Sequence, residues 1–148
     1  MKSPWLKAGV AGLLAVGVLQ FFQPHVTNPP FDPSASFESV VKPAEGVAST
    51  VNRACKDCHS HETVWPWYSR VSPVSWLVAR DVEKGRKHLN LSQWNVYSAE
   101  MSKMRINEMC EEAKAGKMPL PQYIAMHPDA KLSATDVSAL CATNVAMR

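Results

Sequence analysis

The chain has 148 residues, 46% hydrophobic and 20% charged, enough for one modest domain and too few for several. Its formal net charge of +3 comes from Lys and Arg interleaved with acids ("RDVEKGRK", "EEAKAGK"). That is the pattern of solvated helix faces, so nothing is present to track phosphates and nucleic-acid binding is excluded. Eleven prolines gather in loops and near the front, which predicts several short helices.

The first 22 residues, "MKSPWLKAGVAGLLAVGVLQFF", place Lys2 and Lys7 ahead of an uncharged apolar run from Ala8 to Phe22. These are the n-region and h-region of an export signal. No polar face interrupts the run, as a soluble core helix would require. No Ala-x-Ala cleavage site follows, so the favoured reading is a retained signal-anchor helix over residues 5–22. At 1.5 Å per residue it would span about 27 Å, with the lysines on the cytoplasmic side. The rest then lies outside a bacterial inner membrane, in the periplasm. Residues 23–44 carry Pro24, Pro29, Pro30, Pro33 and Pro43 and read as a Pro-rich extended spacer. The domain proper is expected over 45–148.

Within it the signals are helical. Val47 and Val51 share one face of a short helix leading into the cysteines. Ser72 and Pro73 look like a cap and first-position proline, with Val74, Leu77, Val78 and Val82 following at helical spacing. Ser92 or Ser98 caps a third helix that carries Met101, Met104, Met109 and Ala113 as core filler and stops at Gly116. "SATD" from Ser133 resembles a capping box, and Val137, Leu140, Cys141 and Val145 form the inward face of the last helix. No alternating strand pattern appears. The fold class is all-α, a helical domain with long loops.

The chemistry centres on "RACKDCHSHE". Cys55-Lys56-Asp57-Cys58-His59 is C-x-x-C-H, the spacing of c-type haem attachment. Two thiols so placed match the two vinyl groups of a haem, and the following histidine supplies a nitrogen to iron. One covalent haem c is therefore predicted on Cys55, Cys58 and His59. Structural zinc is a weaker alternative, because Cys110 and Cys141 stand 31 residues apart and offer no second ligand pair. A thiol redox site would want a helix N-terminus after the cysteines, and here a helix precedes them. A plain disulfide leaves His59 unexplained. His61 reads as a polar loop residue.

Iron in an electron-transfer haem takes a second axial ligand. Met118 in "GKMPLPQY" is the choice, on a loop stiffened by Pro119 and Pro121. His127 is the runner-up and His88 the third candidate. The order of helix, C-x-x-C-H, loops, Met-Pro and last helix resembles that of a class I cytochrome c. In "TVWPWYSR", Trp65, Trp67, Tyr68 and Arg70 are candidate donors to the haem propionates, with aromatic core packing as the alternative. A carbonyl of Pro66 or Pro73 is a candidate partner for the second ring nitrogen of His59. In an oxidising compartment Cys110 and Cys141 are expected to form a disulfide, two buried free thiols being the alternative.

The run from "CKDCHSHETVWPWYSRVSPVSW" through "CEEAKAGKMPLPQYIAMHPDAKLS" to the late "LC", about residues 52–142, resembles a family of bacterial haem-binding domain proteins. The resemblance implies a membrane segment at the N-terminus and one haem on Cys55, Cys58 and His59. The expected activity is electron transfer to a redox partner protein, with no enzymatic reaction of its own. A haem sensor or peroxidase-like protein with a displaceable sixth ligand is the alternative.

Overall fold

The computed structural model describes residues 4–143. All regular structure among them is helical, as the periodicity requires. The helices are α1 (Pro4–Leu19), α2 (Phe37–Val41), α3 (Glu45–Ala54), α4 (Lys56–His59), α5 (Val74–His88), α6 (Ala99–Lys114), α7 (Pro121–Met126) and α8 (Ala134–Cys141). Short 3-10 turns at Pro33–Ala35, Trp67–Arg70, Leu91–Val96 and Pro128–Ala130 connect them.

α1 is apolar and exposed along its length, but it stops at Leu19. Its 16 residues span about 24 Å. No helix among the described residues is long and apolar enough to cross a membrane, so the expected spanning helix over 5–22 is unsupported. The chain instead turns into the domain. Ser72 N–H donates to Gln20 Oε1 (3.1 Å), Ser72 Oγ donates to the Leu19 carbonyl (3.0 Å) and Trp76 Nε1 donates to the Phe22 carbonyl (2.9 Å). These bonds also correct the reading of Ser72 as a cap, because its hydroxyl is spent on α1 and α5 begins without a side-chain cap.

The predicted extended spacer over 23–44 is folded in its second half. Asp32 caps the Pro33–Ala35 turn, Ser36 caps α2, and Lys42 ends α2 in the left-handed region (φ 53°). Phe37 is 2% exposed and meets Trp94 edge-on at 4.8 Å between ring centroids. Around this pair lie Val47 and Val51 of α3, Leu89, Leu91, Ile106, Ala113 and Leu140. The core therefore needs residues from the segment expected to stand outside it.

Ser98 caps α6, and Gly116 (φ 65°) closes the turn beyond it in a conformation open to glycine. The buried face of α6 is Ser102, Ile106, Cys110 and Ala113. Met101 and Met104, expected in the core, are 40% and 47% exposed, since the i, i+4, i+7 stripe from Ile106 wins the inward side. Cys110 and Cys141 are joined, tying α6 to α8 across 31 residues, as expected. Closing a loop of that length contributes about 3–4 kcal/mol in the chain-entropy view. Val145, expected on the inward face of the last helix, lies outside the described residues.

The capping box at Ser133 forms. Asp136 accepts from the Ser133 backbone and hydroxyl (2.8 and 2.7 Å), and also reaches Arg53 Nη2 (2.7 Å) and Thr50 Oγ1 (2.9 Å) on α3. The Ser133 bonds, then Arg53, hold its carboxyl well below the usual carboxylate range. Replacing Asp136 with Ala is expected to cost about 1–2 kcal/mol in urea unfolding near neutral pH. A depressed native pKa means this stabilisation is present above about pH 4 and lost as acid protonates the native carboxylate. The two proteins should thus converge in stability at low pH.

Candidate functional site

α3 runs directly into α4, with Cys55 ending one and starting the other. The Cys58 and His59 amides donate to the Cys55 carbonyl (3.2 and 3.0 Å), which winds the five-residue motif into a single turn. Cys55, Cys58 and His59 consequently line the same cavity, of about 700 Å³. Ala54, Met109, Ala113, Leu120, Leu132 and Leu140 make much of its wall apolar. The volume and lining suit an organic molecule of cofactor size.

The imidazole of His59 is held on one side. Nδ1 lies 3.0 Å from the carbonyls of both Gly85 and Leu89, at the C-terminal end of α5. Two acceptors at Nδ1 require the proton there, which leaves the Nε2 lone pair free for a metal. Burial lowers the His59 pKa, only partly opposed by those two backbone bonds, so the ring is neutral at physiological pH. The proline carbonyls at 66 and 73 play no part in this. The orienting carbonyls come from a helix 26 and 30 residues downstream.

α5 gets this close because Gly85 has no side chain. A Cβ there would stand 2.5 Å from the Cys58 carbonyl oxygen. Gly85 is thus both the contact point of α5 with α4 and an acceptor for His59. Asp57 fastens the motif on its other side. Tyr123 of α7 donates to Asp57 Oδ2 (2.8 Å), and Thr63 Oγ1 donates to the Asp57 carbonyl (2.6 Å). Arg86 completes the frame, donating to the Ser60 carbonyl (2.7 Å), Thr63 Oγ1 (2.9 Å) and Asn28 Oδ1 (2.8 Å). Sequence reasoning singled out none of Gly85, Asp57, Tyr123 and Arg86. The lone glycine inside "VEKGRK" was the one legible signal.

Cys55 and Cys58 are unpaired thiols. Burial, with smaller contributions from nearby negative groups, pushes Cys55 up to about 12 and Cys58 up to about 11. A C-x-x-C redox site works through a thiolate of lowered pKa, so this environment opposes that chemistry. Among the described residues no three His, Cys, Asp or Glu side chains come together as a metal site, so nothing here supports the zinc alternative.

Of the candidate second ligands, Met118 and His88 line the cavity. His127 does not. Its Nε2 is hydrogen-bonded with Tyr68 Oη (2.8 Å), and its ring stacks on Tyr123 at 4.4 Å. Pro121 opens α7 and Pro119 is buried, so the stiff stretch around Met118 is shorter than expected. Trp65, Trp67, Tyr68 and Arg70 are all absent from the cavity wall. Trp65 donates to Asn28, and Trp67 is 74% exposed. Cations at the wall are Lys84, Lys87 and Arg105, all further along the chain. His61 is a loop residue, as expected, but a buried one, bonded to the Pro30 carbonyl (2.9 Å) and to Asn90 (2.9 Å).

A family model described as a haem-binding domain matches residues 14–143. The chain belongs to the haem-binding domain family. No match is found among curated proteins or solved structures. The match begins within α1 and includes the segment first read as a spacer, consistent with Phe37 in the core. The residues of this haem-binding domain fit the cofactor: two unbonded thiols and an imidazole with an open Nε2 face one apolar cavity.

Proposed function

We propose that the chain is a monohaem c-type cytochrome that carries electrons at the periplasmic face of a bacterial membrane. One observation carries this reading. Four cysteines divide into a disulfide remote in role from the cavity and an unpaired C-x-x-C-H pair lining it beside an oriented imidazole. Cys55 and Cys58 would hold one haem by thioether bonds, and His59 Nε2 and Met118 would bind its iron. When bound, the haem supplies a one-electron ferric/ferrous couple. The chain's part is to fix His59 through Gly85 and Leu89, to exclude water with the apolar wall, and to keep the ligand set the same in both states. The disulfide and the apolar segment behind Lys2 and Lys7 support an exported chain. A redox partner protein would supply and accept the electron, and the chain itself would be no enzyme.

The reading is tested on protein matured with haem-attachment machinery. Haem staining should survive denaturation in the native protein and vanish when both Cys55 and Cys58 are Ala. Met118→Ala should remove the weak sulfur-to-ferric-iron absorption band while leaving the haem attached. A band that persists in the variant rules Met118 out as ligand. A sensor-like or peroxidase-like role is the second reading, favoured by the 38% exposure of Met118, which makes a displaceable ligand. Rapid carbon monoxide binding by the reduced native protein would support it over the closed electron carrier.

A further inference from the structure

We propose that the helical domain seats an apolar ledge, formed by Trp67, Val71, Val74, Trp76 and Leu77, on the lipid surface beside α1. The domain is then docked on the membrane rather than hung from it. The proposal rests on the membrane location argued above, not on the haem, and it names the part of the fold that touches lipid. It needs α1 in lipid, not across it. After Lys7, α1 carries no polar side chain, and Pro4 through Val18 are all exposed. A helix without a polar face belongs in an apolar medium. A protein partner would cover one side of it, whereas lipid covers all sides.

The end of α1 is fastened to the domain at the ledge itself. Gln20 Nε2 donates to the Arg70 carbonyl and Gln23 Nε2 to Ser72 Oγ (2.6 Å), beside the bonds that Ser72 and Trp76 give to residues 19–22. Five such bonds make the junction a fixed joint. All five ledge side chains are exposed, and Phe21 and Phe22 extend the apolar surface towards α1. A cluster of this kind marks an interaction surface, and tryptophans with a nearby cation, here the exposed Arg70, suit the headgroup zone. α5 favours lipid over a protein as the occupant. Its exposed face is apolar only at the start, with Trp76 and Leu77, then turns to Arg80, Glu83, Lys84 and Lys87. A planar lipid surface takes the apolar end and leaves the charged end in water. Leu77 and His88 are about 16 Å apart along the helix. The α5 residues that line the cavity lie between Asp81 and His88, so a seated domain keeps that wall clear of lipid.

The test uses the haem-matured full chain in phosphatidylethanolamine–phosphatidylglycerol vesicles that carry a photoactivatable diazirine phospholipid. Lipid adducts are located by mass spectrometry. They are expected on Trp67 and residues 71–80 as well as on residues 8–22. Val96 should carry none, since it is exposed beyond the far end of α5. Trp67→Glu should lower the yield on residues 71–80 several-fold and leave the α1 adducts unchanged. Trp67 is 74% exposed, so the core does not depend on it. Adducts confined to α1, or equal yields on Val96 and the ledge, overturn the ledge and leave the membrane location standing. A ledge without adducts that crosslinks to a second copy of the chain makes it a protein interface and also overturns the proposal. No adducts on either segment removes the membrane location, and the ledge with it.

Discussion

Gly85→Ala is expected to destabilise the domain by about 2–4 kcal/mol and to cut sharply the yield of protein carrying attached haem. The reason is local and backbone-borne. The new Cβ would stand 2.5 Å from the Cys58 carbonyl oxygen and 3.0 Å from its carbon, and neither atom belongs to a flexible side chain. α5 must back away from α4, or α4 must distort. Either movement loosens the carbonyls of Gly85 and Leu89 from His59 Nδ1. The imidazole then loses its fixed tautomer and orientation together, beside the two thiols that share its cavity. Overpacking of this kind typically costs 1–3 kcal/mol, and the broken hydrogen bonds add to it. The sign makes the experiment decisive. In an ordinary exposed helix the same replacement would stabilise by about 1 kcal/mol through helix propensity. Urea unfolding that shows the variant equal to or more stable than the native protein would remove the close α4–α5 contact from the account. Haem content per chain, measured after denaturation, reads the second consequence independently of the first.

What the sequence disclosed about this site followed from covalent adjacency. Cys55, Cys58 and His59 are neighbours in the chain, and their spacing alone is what points to a haem. The helix caps at Ser98 and Ser133, the stop at Gly116 and the all-α class are local in the same sense, and they appear where the pattern places them. The partners of those residues are another matter. The carbonyls that orient His59 come from 26 and 30 residues away, and every residue has a carbonyl, so no residue type advertises the role. The carbonyls of Pro66 and Pro73, the candidates near the motif, accept instead from the amides of Ser69 and Trp76. The aromatic run at 65–68 looked like a cofactor wall because tryptophan and tyrosine combine an apolar body with a polar tip. In the fold those tips are taken by Asn28 and His127, outside the cavity. Its cations sit instead on α5 and α6, whose interleaved charges looked like plain solvated faces. The methionines of α6 failed for a related reason: Met101 and Met104 have helical spacing, but the stripe through Ile106, Cys110 and Ala113 has it too, and the disulfide to α8 fixes which one faces in.

Phe37→Ala separates two accounts of residues 23–44. If the segment is a spacer, the substitution changes nothing in the folded domain. The packing predicts a loss of about 3–5 kcal/mol, the range for removing a buried aromatic ring. Phe37 is 2% exposed, its ring meets Trp94 edge-on, and Trp94 in turn meets Tyr97 at 5.2 Å. That chain of rings ends near the cavity, since Tyr97 supports the guanidinium of Arg105. The neighbouring segment is bound by polar ties as well, through Pro30 to His61 and through Asn28 to Arg86. These bonds hold the segment to the backbone immediately after His59, so loosening it should reach the haem site. Equilibrium unfolding in urea, followed by Trp fluorescence, measures the stability loss directly. A single transition with lowered midpoint and unchanged slope would mean that residues 31–43 unfold with the domain as one cooperative unit. A native-like midpoint in Phe37→Ala would return the segment to the status of a tether and leave the buried Phe37–Trp94 contact without energetic weight.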